Sequence, residues 1–337
     1  AHRWLDPQSA DVGDAIVAAM TAGGIDHLFF TSGTEIGFYQ EAIAKARALG
    51  RPAPRLVTVP HEYVCLNAAL GYSAVSGKPS ATAAHVDVGT QHYGCAIHTA
   101  WYSGLPVLIT AGAPPAAYPG SLRGARDGAH LWGQQTYDQN GIVRQYMKWE
   151  HRLEYQDNPG LVVSRALQVA QSEPCGPAYL SLPRELVLMP PRDARFPSAA
   201  QLGIARPPAP DPVAVSAIVD RLIAASRPCV LAGTGRDPAA VPALVELCEL
   251  LGLGAFEMPV RTYQCFPMNH PLYQGASSPK ECDALLLLDV LVPWVPGPNA
   301  PGPEAYVAVV DTDPVKQKIP SYEFTADLRV TADPLLT

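Results

Sequence analysis

Short apolar runs alternate with helical patterns through the first 185 residues, and this alternation restricts the fold more than any other feature. The apolar runs lie at 27–30, 55–59, 80–84, 106–112 and 178–182. The helical patterns lie at 11–22, 38–48, 63–76, 93–103 and 160–171. Continuous apolar strands separated by helices are typical of a parallel sheet that is covered on both faces. Residues 1–186 are therefore predicted to form a doubly wound α/β domain.

A proline-dense stretch without periodicity follows at 187–210 and predicts a stiff linker. A second alternating set then predicts a smaller, open α/β domain with a similar parallel sheet over 211–337. Its helical patterns and apolar runs lie at 213–225, 228–233, 239–251, 284–289 and 306–311. The final residues, TADPLLT, resemble the first turn of a helix, so we expect this domain to be truncated at its end.

Charge and hydropathy argue against a nucleic acid or a membrane as the partner. The formal net charge is −7, so the chain has no basic field that would attract phosphates. No apolar run approaches the roughly 20 residues that a membrane-spanning helix needs. A small molecule or another protein is therefore the expected partner.

The seven cysteines are scattered singly through apolar surroundings, with no CxxC pair. They lie at Cys65, Cys95, Cys175, Cys229, Cys248, Cys265 and Cys282. This spacing predicts small buried hydrophobic residues in a reducing compartment rather than a disulfide framework or a zinc site. Because the first residues also lack the apolar stretch of a signal peptide, the cytoplasm is the expected location.

The segment PHEYVCLNAALGYSAVSGKP, at 60–79, is the most informative for chemistry. A His-Glu pair follows a predicted strand and opens a helix of small residues, which another backbone or a flat ligand can approach closely. Glu62 would lie in the first turn, where backbone N–H groups and the helix dipole hold a carboxylate in place. Taken alone, such a glutamate is more often a surface cap.

The order of the motifs changes that interpretation. The motifs follow one another in this order: the His-Glu helix, a strand, a predicted glycine turn at VGT (88–90), the helix ending in AWYSGLP, the strand VLITAG and the segment GPAYLSLPREL (176–186). Together they resemble the pyrimidine-binding domain of thiamine-diphosphate-dependent enzymes of the acetolactate synthase and benzoylformate decarboxylase kind. The resemblance covers about the first 185 residues.

The resemblance implies that Glu62 activates thiamine diphosphate. The cofactor reacts through its thiazolium C2, and a carboxyl group hydrogen-bonded to pyrimidine N1′ favours the reactive imino form. Such a residue must be buried, able to exchange a proton and rigidly oriented. Burial is expected to raise its pKa.

A loop after the first predicted strand is the next candidate part of the site. The loop Thr31-Ser32-Gly33-Thr34-Glu35 follows a strand of a parallel sheet, where ligands usually bind, and relatives carry glycine-rich loops there that face the reacting centre. The first three are candidate cofactor contacts and Thr34 is a candidate substrate contact. The alternative is an ordinary βα turn in which Ser32 or Thr34 caps the helix.

Two histidines and a glutamine complete the candidate site. His85 aligns with an active-site histidine of benzoylformate decarboxylase, where it would relay protons or bind the substrate carboxylate. The alternative is a structural histidine that is hydrogen-bonded within the fold. His92 stands where relatives carry the asparagine of GATN, which leaves the substrate open. Gln135 aligns with a glutamine of acetolactate synthases that reaches the facing subunit. Lys148 aligns with a lysine of the following strand, but a plain surface role is the preferred interpretation.

The second domain resembles the central domain of the same enzymes through FPMNHPLYQG (266–275) and VAVVDTDP (307–314). In some relatives this domain binds FAD or a CoA or ADP moiety. Here the GTG string at 233–235 lacks the third glycine of a dinucleotide motif, so a nucleotide is not supported. Asp311 and Asp313 are expected to be loop caps rather than ligands.

The sequence contains no GDG motif, which marks the family's Mg²⁺ and diphosphate-binding domain, and no metal ligand is predicted. The nearest string, Arg126-Asp127-Gly128, has no preceding strand. A missing segment or a second polypeptide would therefore supply that domain. Because the cofactor lies between two subunits in this family, the resemblance implies a homodimer or a homotetramer.

Two functions remain open. The first is decarboxylation of a 2-oxo acid, carboligation of the resulting aldehyde unit, or both. His85 favours a lyase, whereas Gln135 favours a synthase-like transferase. The second is a non-catalytic or regulatory subunit that keeps the fold, and the retained Glu62 argues against it.

Overall fold

The chain folds into two units, each built on a six-stranded parallel sheet. The computed structural model describes residues 4–233, 237–257, 262–275 and 278–337. The units are Ala1–Ala205 and Arg206–Thr337. The predicted fold class, two mainly parallel α/β domains, is confirmed.

The first unit holds a central sheet in the order β3-β2-β4-β5-β7-β6 and a small antiparallel pair, β1-β8. The strands are β1 (Trp4–Leu5), β2 (His27–Phe30), β3 (Arg55–Thr58), β4 (Ser80–Ala84), β5 (Val107–Ala113), β6 (Trp149–Arg152), β7 (Ala178–Pro183) and β8 (Phe196–Pro197). The helices are α1 (Val12–Ala22), α2 (Phe38–Ala48), α3 (Glu62–Ser76), α4 (Val86–His92), α5 (Gly94–Ser103), α6 (His130–Gly133), α7 (Pro159–Gln171) and α8 (Arg184–Val187).

Helices cover both faces of this sheet. α1, α2 and α7 bury their apolar sides in one core, to which β2, β4, β5 and β7 contribute alternate residues. α3, α4 and α5 pack against β4, β5 and one another. Every residue of β4, β5 and β7 is buried, as expected for strands that are covered on both sides.

A ladder of buried hydroxyl groups crosses the centre of the sheet. Tyr39 donates to the hydroxyl of Thr110 at 3.0 Å, and Thr110 donates to the carbonyl of Thr82 at 2.7 Å. Tyr93 donates to the hydroxyl of Thr82 at 2.9 Å. Each polar group that the core buries here therefore finds a partner, which joins α2 and α5 to the same two strands.

The first part of the proline-rich stretch is ordered on the first unit. Phe196 in β8 pairs with Leu5 in β1 and is only 2% exposed. It packs so closely on Gly160 that a Cβ there would lie 2.8 Å from its ring. Gln168 donates hydrogen bonds to the carbonyls of Leu202 and Gly203. These contacts hold the segment against α7.

The second unit has a sheet in the order β11-β10-β9-β12-β13-β14. Its strands are β9 (Pro228–Ala232), β10 (Gly254–Glu257), β11 (Tyr273–Gly275), β12 (Ala284–Leu288), β13 (Tyr306–Asp311) and β14 (Leu328–Thr331), and its helices are α9 (Pro212–Ala224) and α10 (Ala240–Leu251). Both helices pack on the same face. The other face is covered by residues of the connection after β12, including Leu291 and Trp294.

The carboxyl edge of this second sheet is held together by internal pairs. Asp311, at the end of β13, forms a buried ion pair with Lys316. Glu257, at the end of β10, accepts hydrogen bonds from the backbone N–H groups of Cys265 and Phe266. A Cβ at Gly233 would lie only 2.3 Å from the Asp289 carbonyl oxygen, so these two backbones touch.

The structure corrects two predictions. Cys229 and Cys282 form a disulfide, so the prediction of unpaired cysteines is wrong for this pair. The two residues are 53 positions apart in sequence, and the pairing of β9 with β12 brings them together. Cys65, Cys248 and Cys265 are buried, as predicted, whereas Cys95 is exposed.

The string VGT at 88–90, predicted as a turn between β4 and α5, is helical and belongs to α4. Gly89 is present because of close packing: a Cβ there would lie 3.0 Å from both Ala84 Cβ and Glu62 Oε1. The Thr90 hydroxyl donates to the Val86 carbonyl one turn earlier. In the second unit, the GTG string lies partly outside the described residues: Gly233 is described, whereas 234–236 are not.

Within the described ranges, no helix has both the length and the apolar composition needed to cross a membrane.

Candidate active site

The carboxyl ends of three adjacent strands bring most of the candidate residues together. The loop at 31–34 follows β2, the His61-Glu62 pair follows β3, and His85 follows β4. These strands are neighbours in the order β3-β2-β4. In open parallel sheets, ligands usually bind at this edge.

Glu62 is the first residue of α3, and its side chain is 9% exposed. His61 caps the helix: its Nδ1 accepts a hydrogen bond from the backbone N–H of Tyr63 at 3.2 Å. The positive end of the helix favours a carboxylate at this position. On its Oε1 side, Glu62 faces Gly89, where the missing Cβ leaves room for the carboxylate.

His92, the last residue of α4, contacts the other carboxylate oxygen. Its Nδ1 lies 3.2 Å from Glu62 Oε2, and its side chain is 53% exposed. The rings of His92 and His61 stack with their centroids 5.3 Å apart and their planes 15° apart. The buried carboxylate therefore has a half-exposed imidazole as its neighbour.

His85 and Glu35 form an ion pair at the end of β4. His85 Nδ1 lies 2.6 Å from Glu35 Oε2, and the Glu35 side chain is fully buried. Burial alone would raise the pKa of Glu35, but hydrogen bonds from His85 and Thr34 hold that pKa below its ordinary value of 4.5. The bond to Glu35 raises the pKa of His85 above 6.5 against the effect of burial. The pair therefore favours a cationic His85.

Gln134 lies on the other side of His85, with its Nε2 3.1 Å from His85 Nε2. In this orientation the amide donates to a neutral ring. A rotation that exchanges the amide atoms would let Oε1 accept from a protonated ring. Gln134 can therefore accompany His85 in either charge state.

Several polar atoms around this pair are buried without a hydrogen-bond partner in the described structure: Glu35 Oε1, Asp87 Oδ1 and Gln134 Oε1. Val86, beside His85, also adopts φ = 27°, which is unusual for a β-branched residue. Unsatisfied buried atoms and backbone strain are concentrated at functional sites. Both features mark the surroundings of His85.

The loop at 31–34 is only partly buried. Thr31 is buried beside the Cys65 thiol, whose pKa burial raises to about 12, so this cysteine stays protonated. Gly33 packs on His85 so closely that a Cβ would lie 2.6 Å from His85 Cβ. Ser32 and Thr34 are exposed, and neither caps a helix, because Gly33 and Gly37 occupy the two N-cap positions that follow β2. The Thr34 hydroxyl donates to Glu35 at 2.8 Å.

Gln135 and Lys148 have different surroundings. Gln135 accepts a hydrogen bond from Arg126 and lines a polar cavity of about 490 Å³ that also involves Arg144 and Arg152. Its neighbour Gln134 is the residue that contacts His85. Lys148 donates to the carbonyls of Val169 and Ser172 at the end of α7, which agrees with a structural role.

Sequence reasoning did not single out Glu35, Gln134 or Gly89. Glu35 was only part of a loop, Gln134 only the neighbour of a candidate, and Gly89 only a turn residue. A carboxylate within a candidate loop, followed by the apolar Ile36, is the sequence signal that could have identified Glu35. The contacts of the other two depend on packing between elements distant in sequence.

Comparison with known families finds a match within the first unit. Residues 10–142 match the family model of the thiamine pyrophosphate enzyme N-terminal TPP binding domain. This range includes every candidate site residue named above except Lys148.

Curated relatives agree with that match. The chain is 30% identical over 217 residues to benzoylformate decarboxylase from Pseudomonas aeruginosa, which covers 64% of this chain and 39% of the relative. It is 29% identical over 252 residues to the acetolactate synthase large subunit of Mycobacterium tuberculosis, covering 71% of this chain and 41% of the relative. The chain thus spans about two fifths of the length of these relatives.

Solved structures show the same fold. Benzoylformate decarboxylase from Polynucleobacter necessarius matches with a TM-score of 0.74 at 20% identity, covering 97% of this chain and 60% of that one. A thiamine diphosphate-dependent 4-hydroxybenzoylformate decarboxylase from Rhodococcus jostii RHA1 matches with a TM-score of 0.69 at 21% identity, covering 89% and 56%. The resemblance to thiamine-diphosphate-dependent enzymes is therefore confirmed.

Proposed function

We propose that this chain is the pyrimidine-binding part of a thiamine-diphosphate-dependent enzyme that decarboxylates a 2-oxo acid, transfers the resulting aldehyde unit to an acceptor, or does both. The observation that carries the proposal is Glu62: a buried carboxylate, fixed in the first turn of α3 at the ligand-binding edge of the sheet. Both curated relatives named above support this range of reactions.

The residues at this edge fit the cofactor. Glu62 would hold the pyrimidine ring, with Thr31, Ser32 and Gly33 beside it, and Gly89 leaves the carboxylate free of a side chain on its Oε1 side. The unpartnered atoms of Glu35, Asp87 and Gln134 fit a site whose hydrogen bonds a ligand completes. When bound, thiamine diphosphate would supply a nucleophilic carbon for reaction with a 2-oxo acid.

His85 would act on the substrate. Its charge, which Glu35 stabilises, suits the carboxylate of a 2-oxo acid, and its ring can hold or give up a proton at Nε2. Gln134 would hold that nitrogen in either charge state. Thr34, His92 and Gln135 are further candidate substrate contacts.

A complete site also needs a diphosphate-binding domain with Mg²⁺. We infer that a further segment or a second chain supplies it, since the relatives extend well beyond the matched region. A homodimer or homotetramer would bring the two halves together. Tyr63 and Val64 on α3 and Tyr102 on α5 are 45%, 52% and 40% exposed, and such apolar residues suit a subunit interface.

The test is Glu62→Gln in the assembled enzyme that contains this chain, with release of CO₂ measured from aromatic, short aliphatic and basic 2-oxo acids. The amide keeps the size of the side chain but cannot exchange a proton, so turnover should fall by roughly 10²–10⁴-fold. Exposed Glu41 on α2 provides a matched control, and Glu41→Gln should keep normal turnover. Near-normal turnover of the Glu62→Gln enzyme would contradict the proposal and favour the non-catalytic alternative.

A further inference from the structure

His92 connects the buried carboxylate of Glu62 to solvent. Its Nδ1 lies 3.2 Å from Glu62 Oε2, yet its side chain is 53% exposed, against 9% for Glu62. An imidazole has two nitrogens that can exchange roles as donor and acceptor. With Nδ1 engaged by the carboxylate, Nε2 remains as the second proton site of the ring.

His61 restricts where a proton can reside. Its Nδ1 accepts the hydrogen bond from the backbone of Tyr63, so protonation of that nitrogen would break the cap of α3. Its ring also stacks on His92, with the two centroids 5.3 Å apart. Because the helix cap engages Nδ1 of His61, His92 is the imidazole whose second nitrogen is available to carry a proton.

The other titratable groups near Glu62 are less suited to deliver a proton. The pKa of Cys65, on the same helix, is raised to about 12, so its proton is not released. His85, after β4, is committed to Glu35 through Nδ1 and to Gln134 through Nε2.

Asp87 in α4 is buried, and its charge raises the pKa of His85. Its charge therefore adds to the effect of Glu35 in favouring a protonated His85. Because Asp87 is buried, it cannot carry protons between solvent and Glu62. His92 is the half-exposed group that touches the carboxylate.

We propose that His92 is a positioning residue that also relays protons between solvent and Glu62. The inference rests on the proposed role of Glu62, which requires a carboxyl group that exchanges a proton. In uptake, hydronium in the solvent gives a proton to Nε2 and becomes water. At the same time the Nδ1–H bond breaks, and the proton released from Nδ1 forms an O–H bond with Glu62 Oε2. Release is the reverse, and the ring changes only from one neutral tautomer to the other.

Asparagine separates the two parts of this role. Its amide nitrogen is attached to Cγ, as Nδ1 is in histidine, so His92→Asn can keep the hydrogen bond to Oε2. Asparagine has no second proton site, so it cannot relay. The contact and the relay can therefore be tested apart.

The experiment is a pH jump on the 337-residue chain without cofactor, followed by time-resolved infrared spectroscopy of the carboxyl band that Glu62→Gln removes. Protonation of Glu62 should be slower by roughly 100-fold in His92→Asn, with unfolding unchanged. Added imidazole should restore the rate in His92→Ala. His98 on α5, an exposed histidine that stacks on Tyr102, gives the control His98→Asn, which should keep the wild-type rate.

A wild-type rate in His92→Asn would overturn the relay. So would a slow rate in His92→Ala that imidazole does not restore, or a Glu62 band that never reports protonation. None of these readouts uses thiamine diphosphate. An enzyme that is inactive as Glu62→Gln but has fast proton exchange in His92→Asn would keep the proposed function and reject this inference.

Discussion

The two parallel sheets share an architecture but differ at their carboxyl edges. In the second sheet, buried groups pair with one another: Asp311 with Lys316, and Glu257 with two backbone N–H groups. In the first sheet, Glu62 and Glu35 pair with histidines that are partly exposed. The same fold can therefore carry buried, internally paired groups at its carboxyl edge, or carboxylates paired with partly exposed histidines. A few side chains determine which of the two is present.

The largest effect on stability should come from breaking the buried ion pair of the second sheet. Lys316→Met leaves Asp311 charged and buried, so the free energy of unfolding of the second unit should fall by about 3–5 kcal/mol. Lysine already adopts φ = 51° at this position, and methionine adds no new backbone strain. Chemical denaturation monitors the change.

The control is the double variant Lys316→Met with Asp311→Leu, which replaces both charges by apolar groups and should be close to neutral. If the double variant is no more stable than the single variant, an unpaired buried charge is not the cause of the loss of stability.

The disulfide should have the next largest effect. The bond between Cys229 and Cys282 closes a loop with a sequence separation of 53. Removing it through Cys229→Ser with Cys282→Ser should lower the free energy of unfolding by about 2–4 kcal/mol. Reductant should bring the wild type to the stability of the variant and leave the variant unchanged. Cys95→Ser, at an exposed free cysteine, should change nothing.

The smallest effect on stability, and the one that depends on pH, should come from the Glu35–His85 pair of the first sheet. Glu35→Gln removes the anion that holds His85 charged, at a cost of about 1.5–3 kcal/mol. The His85 contribution is present below its ordinary pKa of 6.5 and is lost as pH rises through the raised value. The Glu35 contribution is present above its ordinary pKa of 4.5 and is lost as pH falls through the lowered value.

The difference in stability between wild type and Glu35→Gln should therefore be greatest between pH 4.5 and 6.5 and shrink on both sides. Denaturation over a pH series measures it. Thr34→Val removes only the hydroxyl donor to Glu35 and serves as the control, with a smaller loss. A loss in Glu35→Gln that is the same at every pH would show that the pair is not ionised.

Local pattern predicted most elements of both sheets. The strands at 27–30, 80–84 and 306–311 and the helix at 38–48 have the predicted bounds, because each has a clear apolar or amphipathic pattern. β10, β11 and β14 were not predicted. Their sequences, GAFE, YQG and LRVT, mix apolar residues with glycine, polar or charged ones, so they form no continuous apolar run.

Tertiary contacts were beyond reach of the sequence. The disulfide depends on the pairing of β9 with β12, which are not consecutive in the chain. Glu35 and Gln134 reach His85 from elements that are distant in sequence. Gly89 suggested a turn because glycine favours turns, whereas packing against Glu62 accounts for it. The roles of Glu62, His85 and the loop at 31–34 stay predictions.

The tyrosines of the hydroxyl ladder, together with Tyr179, provide an absorbance signal from the first unit. Burial raises the pKa of Tyr39 and of Tyr93, and that of Tyr179 to about 12. These three phenols cannot form tyrosinate at moderately alkaline pH while the sheet is intact. Opening of this core in mild alkali would therefore raise the near-ultraviolet absorbance of tyrosinate, in addition to any change from Tyr306 and Tyr322 of the second unit, whose pKa values burial also raises.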